Sequence, residues 1–562
     1  MYKVYKRTLL YLFLATLLIM IGSAVCFADT PPYEDTYSDC AVYVNNVKTS
    51  EKAYTIKGNI YISIQTLQKY GQTDFMTFDT ANNKIYFNAS KIQIALGDAE
   101  TSNFIKNNAG KVYLPIKYFN KVNHVSLGSV SQLCKIAYRY ENGKVYLYPY
   151  KDASRLWTSR AEAPAVSMSS KAIGNELKLA DGTNVTVTSE TLSYYKVMDL
   201  YGNEYYVNKS DFTSSSGKTA ANLIRGSRIK DQFRAQINLV WMTAGSRTDL
   251  APASAEGIDV MSPIWLRLDK NGAGSVTNYC EYGFVELCHA KGMKVWICAN
   301  NNFDVSGGAS YSGTVLDNAG YRNKAIAQYL LYACIYNADG INIDFESMDK
   351  SVIKGGFNTF IADMYKYCTK LGLTLSVDTP VALPYWKGIY DFAFLGKNAD
   401  YLCPMTYEQH YSKAVGPGST MDRDFYSVYT TELANIVGKE KVLMGVPFFT
   451  QVWELDKSGN VINMSAITMK RAVDWVKENN ASVVWDETCG QYIAQCTTSS
   501  GTIKKVWLED TRSMATKLKY VKENGIGGTA CWVYGQNTGD ILTVFSEVYR
   551  KGTDPLSIKG YW

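Results

Sequence analysis

Asp344 and Glu346 stand two residues apart in the run Asp339-Gly340-Ile341-Asn342-Ile343-Asp344-Phe345-Glu346. Read with a period of two, the run puts Ile341, Ile343 and Phe345 on one face of a strand and Gly340, Asn342, Asp344 and Glu346 on the other. Two carboxylates this close repel one another, so at least one is expected to hold its proton above the ordinary carboxylate range. An acid kept protonated near neutral pH can serve as a general acid, and Glu346 is the expected one. The run lies between two expected helices, near Asn323 to Tyr336 and Gly356 to Lys370. Strands so placed are usually buried on both faces and read as continuous apolar runs. A row of Asn, Asp and Glu there is costly unless the groups are partnered or used.

The octet resembles the D-G-x-D-x-D-x-E signature of glycoside hydrolase family 18, the chitinases and their relatives. Asn342 stands where most members carry Asp, which is similar to the subgroup of spore-cortex and peptidoglycan N-acetylglucosaminidases. Ordinary glycosidases need a second carboxylate as nucleophile or base, and family 18 is an exception that uses the substrate's own acetamido oxygen. The resemblance implies that Asp344 orients and stabilises that acetamido group, and that Glu346 then acts as base toward water with retention of configuration. Cys403-Pro404-Met405-Thr406-Tyr407-Glu408 resembles the family's M-x-Y-D element, so Tyr407 is expected to donate a hydrogen bond to the acetamido oxygen. Glu408 replaces the family's Asp, one methylene longer. Met405, Glu408, Asn342, Trp532 (the family's sugar-pocket floor) and Trp453, near Gly445-Val446-Pro447-Phe448, are the expected substrate-binding residues. Asp378 sits where many relatives have small apolar residues, and the sequence offers no account of it.

The elements that must position these groups follow from apolar runs alternating with helical stretches from about Lys230 onward. The runs are Ala235 to Trp241, Ile258 to Leu266, Lys294 to Ala299, Gly340 to Glu346, Leu373 to Val377, Tyr401 to Tyr407, Lys441 to Phe448 and Gly527 to Tyr534. Eight strands with helices between predict an α/β fold, a (β/α)8 TIM barrel over residues 230–553. The long gap before the last run holds Val483-Val484-Trp485 and Lys505-Val506-Trp507-Leu508, which predict a small α+β insertion at about 454–513.

Upstream, Gly58-Asn59-Ile60-Tyr61-Ile62-Ser63-Ile64 is echoed by Gly110-Lys111-Val112-Tyr113-Leu114-Pro115-Ile116, and Lys84-Ile85-Tyr86-Phe87 by Lys144-Val145-Tyr146-Leu147. This duplicated α+β unit at 40–150 resembles the copper amine oxidase N-terminal-like stalk domain of bacterial surface proteins. No histidine cluster suited to copper accompanies it. Residues 164–212 resemble bacterial SH3-like domains, β-rich modules that often bind cell-wall peptides. Linkers are expected at Lys151 to Ala165 and at the Ser/Thr/Gly-rich stretch Thr213 to Ala220. Residues 1–28 read as a secretory signal peptide: Lys3, Lys6 and Arg7, an apolar core from Leu9 to Ile21, and Cys26-Phe27-Ala28 as cleavage site.

Composition narrows the classes. Apolar content of 46% with 20% charge is that of a globular chain. Three cations and no anions leave with the signal, so a formal +6 becomes +3, too mild for nucleic acid. The 12 cysteines form no C-x-x-C pair, although Cys489 and Cys496 are close enough to pair across a hairpin. With only His124, His289 and His410, a zinc site or Ser-His-Asp triad has no support, and neither metal nor cofactor is expected. The expected partners are an N-acetylglucosamine-containing glycan and, through the N-terminal modules, the bacterial cell wall, with no membrane span once the signal is cleaved. The expected protein is a secreted, wall- or spore-associated glycosidase acting on β-1,4-linked N-acetylglucosamine, with peptidoglycan or cortex preferred over chitin. The rival is a catalytically weak or inactive, lectin-like sugar binder.

Overall fold

The computed structural model describes residues 38–562 except 57–58, 73, 80–83, 97–115, 120–121, 150–154, 162, 168–175, 200–203, 220–235, 244–249, 270–272 and 304–307. The signal-peptide reading and most of the second copy of the stalk echo, 110–115, lie outside the described residues.

Eight parallel strands form the C-terminal half: β1 (Ile237–Met242), β2 (Val260–Leu268), β3 (Lys294–Asn300), β4 (Gly340–Asp344), β5 (Thr374–Thr379), β6 (Tyr401–Pro404), β7 (Leu443–Pro447) and β8 (Gly528–Trp532). Their order is β6-β5-β4-β3-β2-β1-β8-β7, and a parallel bridge from Leu402 to Val442 joins the two edges into a nearly closed barrel. Burial follows from the sequence: β1, β5 and β7 are buried along their whole length, as expected for strands covered by helices outside and filled by side chains inside. Gly340 opens β4 because a Cβ there would lie 2.6 Å from Thr374 O and 2.7 Å from the Trp296 ring.

The helix before β4 runs Ala319–Ile335, starting earlier than the apolar spacing suggests, because the Asn318 side chain accepts from the Gly320 and Tyr321 amides and caps it. The helix after β4, Asn358–Leu371, ends where Gly372 takes a left-handed conformation. Between β7 and β8 lies a five-stranded antiparallel sheet with the helix Met469–Glu478 packed on it through Ala472, Trp475 and Val476. Cys489 and Cys496 are unpaired in this lobe. They sit just before and within the single strand Gln491–Thr497, whose rise of about 3.3 Å per residue carries them beyond bridging distance.

Two further seven-stranded sheets precede the barrel. The first is mixed, with Ser38–Val44 pairing parallel to Lys144–Pro149, and a three-stranded sheet accompanies it. It is tied to the barrel helices by Ser90 Oγ to Asn323 Oδ1 at 2.9 Å and Gln132 Nε2 to Leu371 O at 3.0 Å. The second sheet is antiparallel. It includes Arg155–Ser159, Ala163–Ser167 and Phe212–Thr219, so segments that read as linkers are strands. Small polar residues suit an edge such as Phe212–Thr219, which pairs only with Arg155–Ser159, because little apolar surface must be covered there. Among the described residues, no helix is long and apolar enough to cross a membrane.

Candidate active site

The C-terminal ends of the barrel strands open into a cleft of about 480 Å³. Asp344, the last residue of β4, faces into it, 7% exposed. Glu346 lies beyond the strand end, not within the strand as its spacing suggested. Its backbone leaves the ladder and is clamped by one side chain: Asn301 Oδ1 accepts from Glu346 N at 3.0 Å, and Asn301 Nδ2 donates to Glu346 O at 2.7 Å. A second Asn301 Nδ2 bond, to Ser312 Oγ at 2.8 Å, fixes the clamp.

The two carboxyl groups are close enough that the protonation of each depends on the other. Burial pushes Glu346 up to about 9, and the charges of Asp344 and Glu408 add to it. Asp344 is also raised well above the carboxylate range, first by burial and then by the charge of Asp378. Asp378 on β5 is raised to about 8, chiefly by burial. Glu408, open to solvent on the cleft wall, is lifted by the crowding of protein around its carboxyl. The cleft therefore holds protons near neutral pH.

Beneath this group lies a saturated network centred on Asn342, which is completely buried. Its Nδ2 donates to Asp378 Oδ1 at 2.8 Å and Ser376 Oγ at 2.9 Å, while its Oδ1 accepts from Trp241 Nε1 at 2.9 Å. Asn342 is thus a supporting residue below the floor and not a substrate contact, because both its donors and its acceptor are already taken. The network also accounts for Asp378, whose carboxylate is the acceptor that the Asn342 amide needs. Cys298, Asp344 and Asp378 each bring one potential ligand atom within 4.8 Å of the others, the one such trio among the described residues.

Tyr407 lies past the end of β6, 8% exposed, with its ring 6.1 Å from Phe449 in an edge-on arrangement. The absence of a side chain on Gly445 of β7 makes room for it: a Cβ there would meet Pro404 O at 2.5 Å and Tyr407 Cε1 at 3.0 Å. Met405, Tyr407, Glu408 and Trp532 all line the cleft, and Trp532 stands 6.1 Å from the Trp241 ring. Trp453 does not line it. It is fully buried under the segment carrying Gly418, whose carbonyl accepts from its indole Nε1 at 3.0 Å. Phe449 and Gln451, earlier on the same strand, reach the cleft instead.

Several lining residues carried no signal in the sequence. Trp241 reads as part of an apolar core run, and Arg267, Asn300, His410 and Tyr411 stand in segments without a motif. Tyr390 is buried behind the cleft lining, and its phenol is raised first by burial and then by the charges of Glu346 and Asp344.

Residues 270–537 match the family described as Glycosyl hydrolases family 18. The match covers just under half of the chain. The match begins after β2, and β1 joins β2 to the matched strands by pairing with both β2 and β8. The uncharacterized glycosylase YvbX of Bacillus subtilis is 23% identical over 279 residues, 48% of this chain and 78% of that protein. The cortical fragment-lytic enzyme of Bacillus cereus is 27% identical over 246 residues, 42% of this chain and 54% of that protein. The chain therefore spans about half the length of that curated relative. The crystal structure of the Bacillus cereus spore cortex-lytic enzyme SleL aligns with a TM-score of 0.50 at 18% identity, covering 64% of this chain and 89% of that one, a likeness of fold.

Proposed function

We propose that the family 18 domain is a retaining β-1,4-N-acetylglucosaminidase that acts on cell-wall glycan, peptidoglycan or spore cortex, by substrate-assisted catalysis. The observation that carries this reading is that Asp344 and Glu346, two residues apart at the end of β4, line one cleft together with Tyr407 and Trp532. Two carboxylates that attack and protonate from opposite sides of a sugar need separations of roughly 5–9.5 Å. Asp344 and Glu346 come instead from neighbouring positions at one strand end, so in this reading one carboxyl serves as acid while the nucleophile comes from the substrate.

In this reading Glu346, kept protonated, donates to the glycosidic oxygen as the bond to the anomeric carbon breaks. The N-acetyl oxygen closes on that carbon to give an oxazolinium-like intermediate. The Asp344 carboxyl accepts a hydrogen bond from the acetamido N–H, and the Tyr407 hydroxyl donates to the acetamido oxygen. Glu346, now ionised, takes a proton from the water that opens the ring, and configuration is retained. Trp532 offers an apolar face for the sugar.

The two N-terminal sheets are proposed as wall-associating stalk and SH3-like modules of a secreted protein. Relatives named cortical fragment-lytic enzyme support the wall as the place of action. Hydrolysis of purified peptidoglycan and of N-acetylglucosamine oligomers, beside Glu346→Gln, tests the reading. New reducing N-acetylglucosamine ends from the wild type alone support it. Tight sugar binding by both proteins with cleavage by neither would leave a lectin.

A further inference from the structure

Arg267 is the penultimate residue of β2 and lines the same cleft as Asp344, Glu346, Asp378 and Glu408. Arginine beside so many carboxylates ordinarily pairs with one of them, as Arg550 does with Asp259 at 2.6 Å elsewhere in the barrel. Arg267 does not. Among the described residues its side chain makes no ion pair and no hydrogen bond, and its Nε is buried without any partner. A guanidinium has five N–H donors and keeps its charge under all working conditions. Leaving the buried Nε–H of this half-buried side chain without an acceptor is unfavourable, so the group is poised for an acceptor that arrives with a ligand.

Strand register says where that acceptor would be. Arg267 is opposite Asn300 of β3, and Asn300 is opposite Asp344 of β4. Two strand spacings of about 4.8 Å place the Arg267 backbone roughly 10 Å from that of Asp344. Its long side chain then serves a neighbouring part of the substrate rather than the bond being cut. The planar fork of a guanidinium matches a carboxylate through two parallel hydrogen bonds. Hydroxyl groups, all that a plain N-acetylglucosamine polymer offers besides its acetamides, match neither its charge nor its geometry.

Resting on the proposed glycosidase reading, we infer that Arg267 is a specificity-determining residue that binds a carboxylate carried by the glycan, so that the cleft selects acidic amino-sugar polymers over neutral ones. Two sources share that chemistry: the lactyl ether of a muramic acid residue, and the carboxylates of a peptide attached to it. Chitin has neither.

The test compares four glycans: neutral N-acetylglucosamine oligomers, a peptide-free alternating glycan with free lactyl carboxylates, the same glycan with those carboxylates converted to carboxamides, and the glycan with peptides attached. Binding is measured to the full chain carrying Glu346→Gln, with and without Arg267→Gln or Arg267→Lys, and kcat and KM are measured in the Glu346 background. A charge-assisted bidentate pair predicts that Arg267→Gln shrinks the affinity ratio of carboxylated to neutral glycan by about tenfold or more. Arg267→Lys should restore part of it, with the change in KM rather than kcat. A ratio that stays the same in Arg267→Gln, or a protein that never distinguishes carboxylate from carboxamide, overturns the inference. Preference for the free lactyl form assigns the lactyl carboxylate; preference that appears only with peptides attached assigns the peptide. Absence of cleavage with the binding ratio intact would refute the glycosidase reading alone.

Discussion

Asp378→Asn should make the barrel more stable at neutral pH and less stable in acid. Asp378 is 4% exposed and its carboxyl is raised from 3.8 to about 8, chiefly by burial. Between those values the folded chain keeps a proton that the unfolded chain has released. Wild-type stability therefore falls as pH rises through this window, by up to about 1.4 kcal/mol per pH unit. Asparagine removes that slope, so relative to wild type the variant gains about 4 kcal/mol between pH 4 and pH 7. Against this, an amide can still accept from Asn342 Nδ2, now at 2.8 Å, but it brings an NH2 donor into a buried setting arranged for a carboxyl. That mismatch costs about 1–3 kcal/mol at every pH. The net effect is a loss of about that size near pH 4 and a gain of about 1–3 kcal/mol at pH 7. Equilibrium urea unfolding followed by tryptophan fluorescence would read it, because Trp241, Trp265 and Trp296 are buried in the barrel. Parallel stability curves for the two proteins from pH 4 to pH 7 would refute the reasoning.

Glu346→Gln should lower kcat by roughly 10²–10⁴ with unchanged circular dichroism, the usual worth of a positioned general acid. Because Glu346 must be protonated to act and is held up to about 9, wild-type kcat/KM should fall as pH rises through that region. Glu408→Gln, which removes one of the charges holding it up, should move that limb to lower pH; an unmoved limb counts against the assignment. Trp453→Phe should cost about 1 kcal/mol in unfolding experiments and leave KM unchanged, since its indole serves Gly418 and not the cleft. Lys517→Met should cost about 3–5 kcal/mol by stranding the Glu509 carboxylate, which is buried with Lys517 Nζ at 2.9 Å. Adding Glu509→Leu should return much of that stability, and a double variant no better than the single one would argue that the pair is incidental.

Much of the barrel was legible because each strand is a short apolar run bounded by turn residues, and burial on both faces demands that pattern. The legible elements end where side chains, not runs, do the holding. Glu346 leaves the strand because Asn301, far away in the chain, takes over its backbone bonds. Phe212–Thr219 looks like a linker because an edge strand can be built from small polar residues. Trp453 and Trp532 are alike as letters, and only the segment over Trp453 separates buried from cleft-lining.

The alternation of the octet alone determined that Asn342 and Asp344 share one face and that the face is too polar to lie idle. Period two says which side of a strand a residue takes, but not which residue of the next strand stands beside it. The closed sheet decided that. The β4–β5 register sets Asn342 against Ser376 and brings Asp378 within 2.8 Å of the Asn342 amide, which turns an unexplained acid into part of the site. The same closure set Arg267 on the cleft wall without giving its side chain a partner among the described residues. Neither placement can be read along the chain, because both arise from hydrogen-bonded contacts between strands that many residues separate.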